Sequence, residues 1–111
     1  MSLEIITLQD ASVVMIPERL DANNAEGVAS ELKAILARSP KKMIFDFSRT
    51  GYIASAGLRV LLQITRDLMK SGGRIALVEL RPTVYKVFDM AGFTSIFTIC
   101  ISREEAMNRM K

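Results

Sequence analysis

Three short apolar runs, KKMIFDF, RIALVEL and SIFTICI, alternate along this chain with longer segments whose apolar residues recur at helical spacing. Runs of that length suit buried strands, and a helix between successive strands makes a parallel connection. The segment before the first run places Ala25, Val28, Leu32, Ile35 and Leu36 on one helical face. Asp21, Asn23 or Asn24 can cap its start, Glu26 lies three residues after Asn23 as a capping box requires, and Ser39-Pro40 stops it. A second helix is predicted from near Ser55 to Ser71, ended by Gly72-Gly73. A third opens at Arg81-Pro82 and ends at Gly92 after Ala91, and SREEAMNRMK, headed by Ser102, reads as a last helix. Upstream, LEIITL and SVVMIP flank Gln9-Asp10-Ala11 as the arms of a hairpin. The predicted order is β-β-α-β-α-β-α-β-α. This is an α/β fold with a mixed, mostly parallel sheet, an antiparallel N-terminal edge strand and helices packed on the sheet.

The second helix carries a wide apolar arc. Leu58, Leu61, Leu62, Thr65, Leu68 and Met69 form one stripe, and Val60 and Ile64 extend it beyond what docking on a sheet needs. Two readings of that excess stand: a neighbouring helix covers it, or it belongs to a partner surface.

Composition removes several functions. The 111 residues fit one domain, residues 1–111. The net charge of +3 comes from scattered residues of both signs, with no Lys/Arg block, so nucleic-acid binding is not expected. No apolar run nears the ~18 residues of a membrane span, and MSLEIITLQD has neither the basic start nor the apolar core of a secretion signal. The expectation is a cytoplasmic protein without a membrane contact. There is no histidine and one cysteine, Cys100, so the common zinc ligand sets and the Ser-His-Asp and Cys-His couples cannot form within the chain. Cys100, inside IFTICI, reads as a small core residue, and no cofactor is expected.

Ser55 is the one hydroxyl in the small-residue run IASAG, where strand gives way to helix. Ile53-Ala54-Ser55-Ala56-Gly57 matches only the second half of a nucleophile elbow, and no imidazole exists to take the proton. A phosphate loop would need more glycines and a lysine at the helix start, whereas Arg59 is the nearest cation. Two readings remain on local chemistry. Ser55 is a helix cap, or it is an accessible hydroxyl that a kinase modifies, with the phosphate tolerated beside a helix N-terminus.

FDFSRTGYIASAGLRVLL, SGGRIALVELRPTVYKVFDMAGF and RLDANNAEGV together resemble the STAS domain family (sulfate transporter and anti-sigma-factor antagonist), particularly its small stand-alone members. The resemblance implies a non-catalytic switch that binds an anti-sigma-factor serine kinase of the GHKL type. That kinase phosphorylates one serine of the antagonist, and a serine phosphatase restores it. The modified serine of the family's Asp-Ser-Ser/Thr-Gly-Leu motif falls on Ser55, and Gly57 and Leu58 match its Gly-Leu. Asp21 and Asn24 match positions beside the phosphoserine, and Asp46 matches an acidic residue after the preceding strand. The implied partner surface comprises Asp21, Asn24, Ala54, Ser55, Ala56, Gly57 and Arg59. The chain departs from the motif at Ala54, where the family has an acidic residue, and at Ala56, where it has a second hydroxyl. A constitutive accessory or scaffold module of a transport or signalling assembly, with Ser55 unmodified, is the alternative.

Overall fold

A computed structural model describes residues 3–111; Met1 and Ser2, to which the reading of the N-terminus and of the 1–111 domain extends, lie outside them. β1 (Ile5–Leu8) and β2 (Ala11–Met15) form the antiparallel hairpin, turned by Gln9 at φ 54°. The two-residue strand β3 (Arg19–Leu20) leads into α1 (Ala25–Leu36), which is followed by β4 (Lys42–Asp46) and a second two-residue strand, β5 (Tyr52–Ile53). α2 (Ser55–Lys70), β6 (Arg74–Val78), α3 (Pro82–Met90), β7 (Ile99–Cys100) and α4 (Arg103–Arg109) complete the chain. The main sheet has the order β1-β2-β4-β6-β7, with every pair after the hairpin parallel, as the alternating pattern predicts.

Each side of the sheet buries its own apolar cluster. On one side Val14, Phe45 and Leu77 pack with Leu32 of α1, Leu61 of α2 and Phe88 of α3. On the other, Val13, Ile44 and Ala76 pack with Ala106 and Met110 of the α4 segment. At ~25 cal/mol per Å² of buried apolar area, these two layers are the main favourable term in folding. Ile64 is buried and Val60 half-buried in the first cluster, where α1 packs against α2, so a neighbouring helix accounts for most of the wide arc. Cys100 is a buried residue of the second cluster.

Several end signals hold. Gly72 and Gly92 take positive φ after α2 and α3, Pro82 opens α3, and Ser102 Oγ accepts from the Glu105 N–H at 3.2 Å. Others do not. The Asn23–Glu26 capping box gives way to a different arrangement: Asn24 is the N-cap residue, its Oδ1 accepts from the Asp21 N–H, and Asp21 Oδ1 accepts from the Asn23 N–H. The strand expected across SIFTICI shrinks to Ile99–Cys100 because Phe97 turns into the core, edge-on to Phe88 with centroids 5.6 Å apart. The β3–β5 pair has no counterpart in the sequence-based prediction.

Candidate functional site at the head of α2

The head of α2 is held by that small second sheet. Arg19 pairs with Tyr52 and Leu20 with Ile53, in parallel. The ladder continues one step further, where the Ala54 N–H donates to the Leu20 carbonyl at 2.9 Å. Asp21 and Ser55 are thus the next residues along two segments locked side by side. Gly57 lets them come close: a Cβ at this position would stand 2.6 Å from Leu20 Cγ and 2.8 Å from the Leu20 oxygen. No side chain fits there.

The loop that carries β5 is anchored from below. Thr50, fully buried, donates its hydroxyl to the Pro17 carbonyl at 2.9 Å and stands 3.2 Å from that of Ile16. Asp46, 1% exposed, accepts from the Ser48 N–H at 2.9 Å and from Arg103 Nε at 2.9 Å. Burial pushes the Asp46 carboxyl up, but the Ser48 and Arg103 contacts outweigh it and hold the group below the ordinary carboxylate range. Asp46, expected after the preceding strand, is instead the last residue of β4, and it braces α4 against the loop leading to Ser55.

Ser55 is exposed and is the first residue of α2. The N-cap position belongs to Ala54, whose methyl group cannot cap, so the Ser55 hydroxyl is not the cap of this helix. It projects from the first turn, where backbone N–H groups lack intrahelical acceptors and a negative charge is favoured. Ala54 and Ala56 beside it are half-buried and small, and Arg59, one turn on, is exposed. Across the ladder, Asn24 is half-buried and donates its Nδ2 to the Arg19 carbonyl at 2.7 Å. Asp21 is buried, with Oδ2 3.3 Å from both Nε and Nη2 of Arg19. Gly57 is buried as well. The ladder thus brings the Asp21–Asn24 loop beside the Ser55 helix start; Ser55 and Arg59 face solvent, while Asp21 and Gly57 shape the backbone beneath them.

Two residues escaped the sequence-based selection. The Arg19 guanidinium lies over the Tyr52 ring, 4.5 Å from its centroid, and Tyr52 is 46% exposed. This cation-over-ring pair borders the site beside Asp21. A two-residue strand has no measurable period, so nothing in RL or YI signals it.

Burial pushes the Cys100 thiol above its ordinary value, which leaves it protonated and a poor nucleophile. Among the described residues no group of three or more His, Cys, Asp or Glu is placed to hold a metal ion, and no helix is long and apolar enough to cross a membrane. Chemically the site offers one exposed hydroxyl at a positive helix end, on a surface of small side chains.

Comparison with known proteins gives a consistent picture. The STAS domain family model matches residues 2–106. The candidate anti-sigma factor antagonist BtrV of Bordetella bronchiseptica is 39% identical over 92 residues, covering 83% of this chain and 79% of that protein. A crystal structure of a candidate anti-sigma factor antagonist from Thermotoga maritima superposes with a TM-score of 0.90 at 24% identity, covering 97% of this chain and 93% of that one. SpoIIAA superposes in two solved forms, as the anti-sigma factor antagonist in its unphosphorylated form and as the Bacillus cell fate determinant in the phosphorylated form. The unphosphorylated form gives a TM-score of 0.81 at 24% identity, covering 97% of this chain and 95% of that one; the phosphorylated form gives 0.72 at 22%, covering 99% and 100%. At these identities the structural matches establish the shared fold.

Proposed function

The chain belongs to the STAS domain family, and on that footing we propose that it is an anti-sigma-factor antagonist, a non-catalytic binding switch set by phosphorylation of Ser55. The observation that carries this reading is the exposure of Ser55 at the first position of α2, with the cap position occupied by an alanine. A hydroxyl so placed can enter a kinase active site without unfolding the domain. Phosphate there adds roughly −1.5 to −2 charges at a helix end that tolerates them. The fold survives while the surface changes sign locally.

In this account residues 1–111 act as one cytoplasmic STAS unit. The unmodified domain docks on a GHKL-type anti-sigma-factor serine kinase through Ser55, Arg59, Asn24 and the small surface of Ala54 and Ala56. Asp21 and Gly57 contribute by fixing the backbone. The kinase phosphorylates Ser55 and the complex weakens; a serine phosphatase restores the binding form. Turning the complex from mostly bound to mostly free takes about 5.5 kcal/mol for a change from 99:1 to 1:99, within reach of a phosphate forced against a desolvated carboxylate of the partner.

The experiment is phosphorylation in vitro. Incubation with a cognate anti-sigma-factor kinase and ATP is expected to add a single phosphate by mass spectrometry, and Ser55→Ala is expected to abolish it. A partner that binds the domain yet leaves its mass unchanged removes the switch. Ala54, in place of an acidic residue before the serine, favours a second reading, in which the domain is a constitutive accessory module of a transport or signalling assembly. That reading predicts that Ser55→Asp leaves partner binding nearly unchanged.

A further inference from the structure

Away from the head of α2, a cleft of about 260 Å³ opens where the C-terminal half of α2, the start of β6, residues 96–98 and the end of α4 converge. Its origin is the shortness of β7. That strand pairs only with Leu77 and Val78, so Arg74–Ala76 of β6, paired with β4 on one side, have no strand beside them on the other. Phe97 turns into the core and leaves Ile96 half exposed in the lining, together with Met69, which is 61% exposed. The apolar part of the lining is completed by Ile75 and Met110.

Two features of this cleft are unusual for a packing defect. Thr65 lines it, is 2% exposed, and its buried Oγ1 has no hydrogen-bond partner. A buried hydroxyl without a partner is a standing cost, and an acceptor oxygen entering the cleft relieves it. The charged side chains of the lining are of one sign: Arg74 and Arg109 are among the lining residues, and no Asp or Glu is. Arg74 Nη1 donates to the Lys111 main-chain oxygen at 3.1 Å, and Arg109 Nη1 lies 3.9 Å from Cys100 Sγ. Among the described residues neither arginine pairs with an Asp or Glu side chain.

We propose that this cleft is a binding site for a small carboxylate with an apolar tail, the anionic end held between Arg74 and Arg109 and the tail laid along Met69, Ile75 and Ile96. Thr65 supplies a hydroxyl donor to the anion. At about 30 Å³ per water-sized group the volume suits a ligand of about eight non-hydrogen atoms. The site is independent of Ser55 and of the switch proposed for it.

Hexanoate is the probe, titrated into the full chain and followed by amide NMR, with hexylamine and acetate as controls. The expected result is saturable shifts centred on Thr65, Ile75 and Thr98, with a Kd on the order of 1 mM for so small a ligand. The double variant Arg74→Gln/Arg109→Gln is expected to weaken hexanoate by about tenfold or more, as loss of charged hydrogen bonds does. Thr65→Val is expected to weaken it about fivefold while Thr65→Ser retains it, a comparison that separates the hydroxyl from the packing. Absence of saturable shifts with hexanoate, equal shifts with hexylamine, or full affinity in the double variant overturns the proposal.

Discussion

The Ala54 N–H donates to the Leu20 carbonyl at 2.9 Å, and this bond joins the segment that leads into α1 to the head of α2. Everything proposed for Ser55 depends on it. The bond extends a ladder of only two residue pairs, so the position of the exposed hydroxyl is set by short-range backbone geometry rather than by side-chain contacts of its own.

Gly57 is where that geometry is most easily broken. Alanine there gains about 1 kcal/mol of helix propensity but drives its Cβ into Leu20, whose backbone oxygen cannot swing aside as a side chain can. Gly57→Ala is expected to lower stability by about 1–2 kcal/mol net in urea unfolding and to shift the amide resonances of Asp21 and Ser55 together. A variant of unchanged stability would show that α2 can retreat without cost.

The Asp46–Arg103 pair gives a pH signature. The native Asp46 carboxyl titrates below its unfolded counterpart, burial notwithstanding, because the Ser48 and Arg103 contacts favour its charged form. Its contribution to stability is therefore complete above the unfolded value of about 3.9 and is lost as pH falls through the lower native one. Arg103→Ala leaves a buried carboxylate with fewer partners and is expected to cost about 2–3 kcal/mol near neutral pH. The difference from the parent should narrow on acidification, as the carboxylate is protonated in both proteins. Unfolding curves between neutral and acid pH measure both effects.

Thr65 offers the opposite sign. Valine keeps its shape and removes the buried hydroxyl without a partner, so Thr65→Val is expected to raise stability by about 1 kcal/mol, seen as a higher denaturation midpoint at unchanged m. A loss of stability would mean that the hydroxyl is satisfied by a water.

The sheet and its helices were legible because their signals are long. KKMIFDF and RIALVEL are apolar runs several residues in length, α2 repeats its stripe from Leu58 to Leu68, and Gly72, Gly92, Pro82 and Ser102 mark ends by their own backbone or side-chain chemistry. β3 and its pairing with β5 were not legible, since Arg19–Leu20 and Tyr52–Ile53 are shorter than any period; β5 showed only as the strand side of the turn into α2. SIFTICI misled for a tertiary reason: Phe97 is as strand-prone as its neighbours, yet the space between Phe88 and Phe93 draws it into the core. At the site, the strand-to-helix turn and its small residues pointed to Ser55. That Asp21 would be buried and bonded inward depended on Arg19 and Asn23, whose contacts form only once the loop is closed.

Affinity of the domain for its anti-sigma-factor kinase, measured by calorimetry before and after stoichiometric phosphorylation of Ser55, tests the central claim most directly. The switch predicts that the phosphate lowers affinity by about ten-thousandfold, the ~5.5 kcal/mol that a change from 99:1 to 1:99 requires, while the thermal midpoint of the domain stays the same or rises. Equal affinity of the two forms, with the phosphate verified on Ser55, would contradict it.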